Sequence, residues 1–180
     1  PWLNGIAIQR MIELGQVDLA WRLFTNTNEI ALTRGVVGGL PEILDAYPHP
    51  GESAPRLTGT YLQGWSNAEQ LRVWYQGFLG LQPDIAQGVI RLAPRLPNAV
   101  GDVEFKSRIG AGVLHAWYER SDHGRRYTWR LQGQSARLDL DIAPFERRSF
   151  SVAAGDTLTV EQTADSLVVR HIGVSGSERE

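Results

Sequence analysis

Apolar positions in the first part of the chain recur at helical spacing. Ile8, Met11 and Ile12 form one stripe, which Gly15 stops, and Val17, Ala20, Trp21 and Phe24 form a second. Together they predict an antiparallel helical hairpin, with Thr25 to Asn28 as a polar break after it. Residues 35–60 hold many glycines and prolines and little periodicity, which predicts a long loop of the kind that tends to carry function. A third helix is predicted from Ser66. There Ser66-Asn67-Ala68-Glu69 has the form of a capping box, Leu71, Trp74, Tyr75 and Phe78 give the apolar stripe, and Gly80 ends it. The short apolar stretch from Pro83 to Pro97, broken by Pro94, reads as a crossing segment between domains.

From about Gly101 the period changes from 3.6 to two. Alternating runs centre on Phe105, Trp117, Trp129, Leu140, Phe150, Leu158 and Leu167, with turn signals at Asp122-His123-Gly124, Gln132-Gly133-Gln134 and Gly155-Asp156. About seven such strands predict a small antiparallel β-sandwich, and the tail from Gly173 to Glu180 is expected to fray. The chain therefore reads as α then β, with residues 1–100 helical and 101–180 the sandwich. The helical part shows more aromatic surface than three helices are expected to bury among themselves, so it is expected to pack against further protein.

Composition narrows the function classes. The net charge is −2, with acidic and basic residues interspersed, and no basic stripe points to nucleic acid. No apolar run is long enough to span a membrane. The absence of cysteine suits a cytoplasmic location and excludes disulfides and thiolate metal sites. His49, His115, His123 and His171 lie without ligand spacing, so no metal and no cofactor is expected. The chain opens on Pro1 rather than methionine, from which processing or truncation is expected. His115, Trp117, Tyr127 and Trp129 fall on hairpin strands, where they can serve either as a sugar platform or, with greater weight, as sandwich core or inter-domain packing.

Two motifs carry the candidate chemistry. Gly38-Gly39-Leu40-Pro41-Glu42 places a carboxylate directly after a turn, and Gln63-Gly64-Trp65-Ser66 opens the third helix. Taken alone, Pro41 and Glu42 also suit a helix start, with proline in the first position and an acid near the positive end of the dipole. Taken as a pair, and with Pro1-Trp2-Leu3-Asn4-Gly5, Leu79-Gly80-Leu81-Gln82-Pro83-Asp84 and Leu92-Ala93-Pro94-Arg95-Leu96-Pro97, the motifs resemble the closing part of bacterial and archaeal amylo-α-1,6-glucosidases, the glycogen-debranching family. The likeness covers roughly residues 1–100 and departs from the family at Gly64, where alanine is usual.

The resemblance implies the last helices of an (α/α)6 toroid barrel followed by a β-sandwich, with the upstream part of the barrel as partner. It implies inverting hydrolysis of an oligosaccharide or α-glucan. In that chemistry one carboxylic acid protonates the leaving oxygen and a second carboxylate, about 6.5–9.5 Å away, activates water. On this likeness Glu42 is the general base, and Trp2, Gln63 and Trp65 line the sugar subsite. Asp45, Glu52 and Asp84 match no family motif for the acid, so the chain alone is expected to be inactive. Glucoamylase- and α-L-rhamnosidase-like barrels share the layout. The alternative is a non-catalytic carbohydrate-binding or scaffolding piece.

Overall fold

The structure, a computed structural model, describes residues 1–174, 176, 178 and 179. The chain forms two compact units, Pro1–Gly80 with Arg95–Pro97, and Leu81–Pro94 with Asn98–Glu180.

In the first unit the predicted hairpin is α1 (Asn4–Glu13) and α2 (Val17–Thr33). Residues 25–28 are not a break. The Thr25 hydroxyl donates back to the Trp21 carbonyl and that of Thr27 to the Leu23 carbonyl, so the polar side chains satisfy themselves within a continuing helix. Thr27 is buried and its Oγ also accepts from Asn4 Nδ2 at 2.9 Å, while Asn28 Oδ1 accepts from Gln70 at 2.7 Å. The long loop holds one short hairpin, β1 (Ile43–Leu44) with β2 (Leu57–Thr58). Then α3 (Gly64–Arg72) widens into a π-type turn over Val73–Phe78, in which Leu79 N donates to Trp74 O.

The expected last helices of a toroid barrel are not what this unit is. Only three helices are present among the described residues, strands make up most of the regular structure, and the helices enclose a core of their own. Trp21, Phe24, Trp74 and Phe78 pack on one another with ring centroids 5.3–6.3 Å apart, over Ile8, Ile12 and Ala20, and Leu96 returns to join them. Aromatic side chains bring a large apolar area per residue, and these four form the middle of that core.

The second unit is sandwich-like. Its larger sheet runs β12-β11-β10-β7-β6-β5, with β5 Val103–Ile109, β6 Gly112–Ser121, β7 Gly124–Gln132, β10 Thr157–Thr163, β11 Leu167–Ile172 and β12 Glu178–Arg179. All neighbours in it are antiparallel. The smaller sheet runs β3-β4-β8-β9, with β3 Leu81–Asp84, β4 Val89–Leu92, β8 Ala136–Leu140 and β9 Arg148–Val152. Here the expectation of a purely antiparallel sandwich fails, because β4 and β8 pair in parallel, Ile90 opposite Leu138. The stretch from Pro83, read as a crossing segment, is the β3–β4 hairpin of this sheet. Pro83 is tolerated because β3 is the edge strand and has no outer ladder to donate to.

Each sheet buries one face. Leu114, Ala116, Tyr118, Tyr127, Trp129, Leu131, Leu158 and Val160 form the apolar face of the larger sheet, and Ile90, Leu92, Leu138, Leu140 and Val152 that of the smaller. The tail does not simply fray: Val174 N donates to Asp156 Oδ1, and β12 pairs with β11. Ser175, Ser177 and Glu180 lie outside the described residues.

Candidate functional site

Glu42 does not start a helix. It lies at a bend just before β1, and its backbone is held from two sides: Glu42 N donates to Thr60 O at 2.8 Å, and Trp2 N donates to Glu42 O at 3.2 Å. The β1–β2 register, Ile43 opposite Thr58, brings Thr60 alongside the carboxylate. Thr60 N donates to Glu42 Oε2 at 3.1 Å, with the Thr60 hydroxyl at 3.4 Å, whereas Oε1 accepts no hydrogen bond from the described residues. Gly59 makes this approach possible. Its φ is +71°, and a Cβ there would lie 2.7 Å from Glu42 Oε2. The carboxylate is thus anchored through one oxygen and half-exposed.

The second motif meets the first through the backbone. Gln63 N donates to Leu40 O at 2.8 Å, and Asn67 Oδ1 accepts from Leu40 N at 2.9 Å. The capping box is therefore not formed. The helix begins two residues early, at Gly64, and no side chain caps it. Ser66 is buried with its hydroxyl towards Pro41 O at 3.5 Å, and Glu69 instead binds Arg72 at 2.7 Å. The Arg72 guanidinium holds the Glu69 carboxyl below the usual glutamate range. Ser66 and Asn67 of the expected capping box instead pin the Glu42 stretch against the helix.

All four residues singled out from the motifs come together here. Trp2 and Trp65 stack with centroids 5.7 Å apart and planes 23° from parallel, yet remain 45% and 55% exposed. Two indoles stacked in the open, rather than in a core, form a broad apolar step beside a carboxylate-bearing segment. Gln63 is only 8% exposed, so its side chain belongs to the support of the site more than to its surface. Thr60 and Gly59 were not singled out in the sequence, because their roles depend on the register of a two-residue hairpin.

None of the other carboxylates considered for an acid is poised as one. Asp45 is 2.8 Å from His49 Nε2, and Glu52 accepts from Arg56 at 2.6 Å, which holds its carboxyl below the usual range. A general acid requires the opposite shift. Asp84 lies in the strand unit and accepts from Gln87 N. Of the aromatic strand residues, Tyr127 and Trp129 are buried, while His115 and Trp117 are half-buried on the opposite face of their sheet. Among the described residues no group of three histidines or carboxylates is placed to hold a metal ion, and no helix is long and apolar enough to cross a membrane. Neither the protein-family models nor the curated proteins compared with this chain match it.

Proposed function

We propose that the cluster of Trp2, Glu42, Gln63 and Trp65 is the general-base side of a site for hydrolysing α-glucosidic linkages by inversion. The observation that carries this reading is the Trp2 N–Glu42 O hydrogen bond, which joins the exposed tryptophan step to the segment bearing the half-anchored carboxylate. A pyranose ring offers an apolar face of C–H bonds to indole, and this stacking fixes the sugar. Thr60 orients Glu42 through Oε2 and leaves Oε1 to accept a proton from water. The acid comes from protein beyond these residues, since Asp45 and Glu52 are committed to basic neighbours. A chain without cysteine needs no oxidising compartment, and we place this chemistry in the cytoplasm.

Titration with maltooligosaccharides, followed by tryptophan fluorescence and calorimetry, tests the reading. Saturable binding is expected, weakened about tenfold by Trp65→Ala and retained in Glu42→Gln. The chain alone is expected to show no turnover. Absence of binding sinks the reading, and turnover by these residues alone overturns the assignment of the acid elsewhere. Where a complementing protein restores hydrolysis, Glu42→Gln should abolish it, because the amide cannot take the proton of water. Hydrolysis that survives this change leaves a binding site without catalysis.

A further inference from the structure

The outward face of the six-stranded sheet carries a second chemistry. Register places Lys106, His115, Arg130 and Thr157 in one row across four adjacent strands, and Glu104, Trp117, Thr128, Thr159 and Arg170 in the next. Cross-strand neighbours on one face lie close enough to act on a common ligand. Charge on this face is unevenly matched. Glu161 is held by both Arg126 and Arg170 at 3.0 Å, and Glu104 lies 2.6 Å from His115 Nε2. Glu119 stands at the far end of β6, in the row of Arg126 and Glu161. Lys106, Arg108 and Arg130 are exposed and have no acidic partner among the described residues, on a chain whose net charge is −2.

We propose that this face binds a uronate-bearing polysaccharide, with Lys106, Arg108 and Arg130 receiving its carboxylates. Three observations select that ligand. Lys106 and Arg130 stand two strands apart, roughly 9.5 Å, a span suited to carboxylates on separate sugars of an extended chain rather than to one small anion. Between and beside them lie Thr128, Thr157, Thr159 and Gln132, donors and acceptors for a hydroxyl-rich ligand. Single-stranded nucleic acid, which also uses cations on a sheet, needs an open aromatic ring to stack its bases. Trp117 is only partly exposed on this face, and the His115 ring packs on it with centroids 3.6 Å apart, which leaves little ring for bases to stack on. The arginines supply the planar donors that pair with carboxylates.

Calorimetry at low ionic strength with oligogalacturonate provides the test. Binding is expected, about tenfold weaker in the Lys106→Gln/Arg130→Gln double variant with its melting temperature unchanged. Arg22→Gln, which removes an exposed charge from the helical unit, should leave it unaltered, as should Trp65→Ala, so this site stands or falls separately from the Glu42 cluster. No binding, equal binding by the double variant, or equally tight binding of oligothymidylate or polyglutamate overturns the proposal.

Discussion

Alanine at Trp129 is expected to cost about 3–5 kcal/mol, a large share of the stability of an ordinary domain. Trp129 is 0% exposed. It stacks on Tyr127 with centroids 5.8 Å apart and planes 7° from parallel, and meets Tyr118 edge-on at 5.8 Å. Its indole N–H donates to the Tyr118 hydroxyl at 3.1 Å, so a polar handle deep in the core is satisfied by another buried group. Burial also pushes the Tyr118 hydroxyl pKa upward, which keeps it neutral. Alanine removes the ring, leaves a cavity on the larger sheet and takes the indole hydrogen bond from the Tyr118 hydroxyl. Trp129→Phe should cost less, about 1–3 kcal/mol, since it keeps much of the stack and loses the bond. Denaturant midpoints for the two variants at constant slope check both the size and the order.

A single methyl group at Gly124 should come next in severity. Gly124 opens β7 opposite Thr163 of β10, and a Cβ built there would lie 1.8 Å from the Gln162 carbonyl oxygen and 2.8 Å from its carbon. Backbone cannot swing aside as a side-chain tip can, so the β7–β10 pairing must part at this end. Gly124→Ala is expected to destabilise by about 3 kcal/mol or more. The sign is diagnostic, because removing a glycine's freedom usually stabilises by about 0.4–1 kcal/mol where the backbone permits alanine. Gly101→Ala, where nothing lies within 4 Å of the added atom, is the matched control and should be near neutral. A Gly124→Ala midpoint equal to that of the control would refute the clash.

Much of the strand unit was legible because a two-residue period is written locally: each of the alternating runs from Phe105 to Leu167 lies in or at the edge of a strand. The β4–β8 pairing was not, since nothing near Ile90 signals that Leu138 will lie beside it. The prolines around that stretch made it look like a linker until the edge position of β3 explained them. In the helical unit, the spacing of Trp21, Phe24, Trp74 and Phe78 showed which faces are apolar but not that they face one another. The candidate site divides the same way. Trp2, Glu42, Gln63 and Trp65 were marked by their motifs. Ser66 and Glu69 matched a helix cap equally well, and it took the folded contacts, the Ser66 hydroxyl towards Pro41 O and Glu69 paired with Arg72, to decide against it.

The parallel pairing of β4 with β8 also constrains how the chain can be made and divided. During synthesis Val89–Leu92 leaves the ribosome well before Ala136–Leu140, so the first hairpin of the smaller sheet must wait with one ladder open. A cut near residue 100, natural as it looks from the change of period, would carry β3 and β4 away with the helices. The remaining piece would then expose the flank of β8 as a bare template for another chain. The two units are thus interleaved along the polypeptide, and each is completed only by sequence that lies beyond the other's first residues.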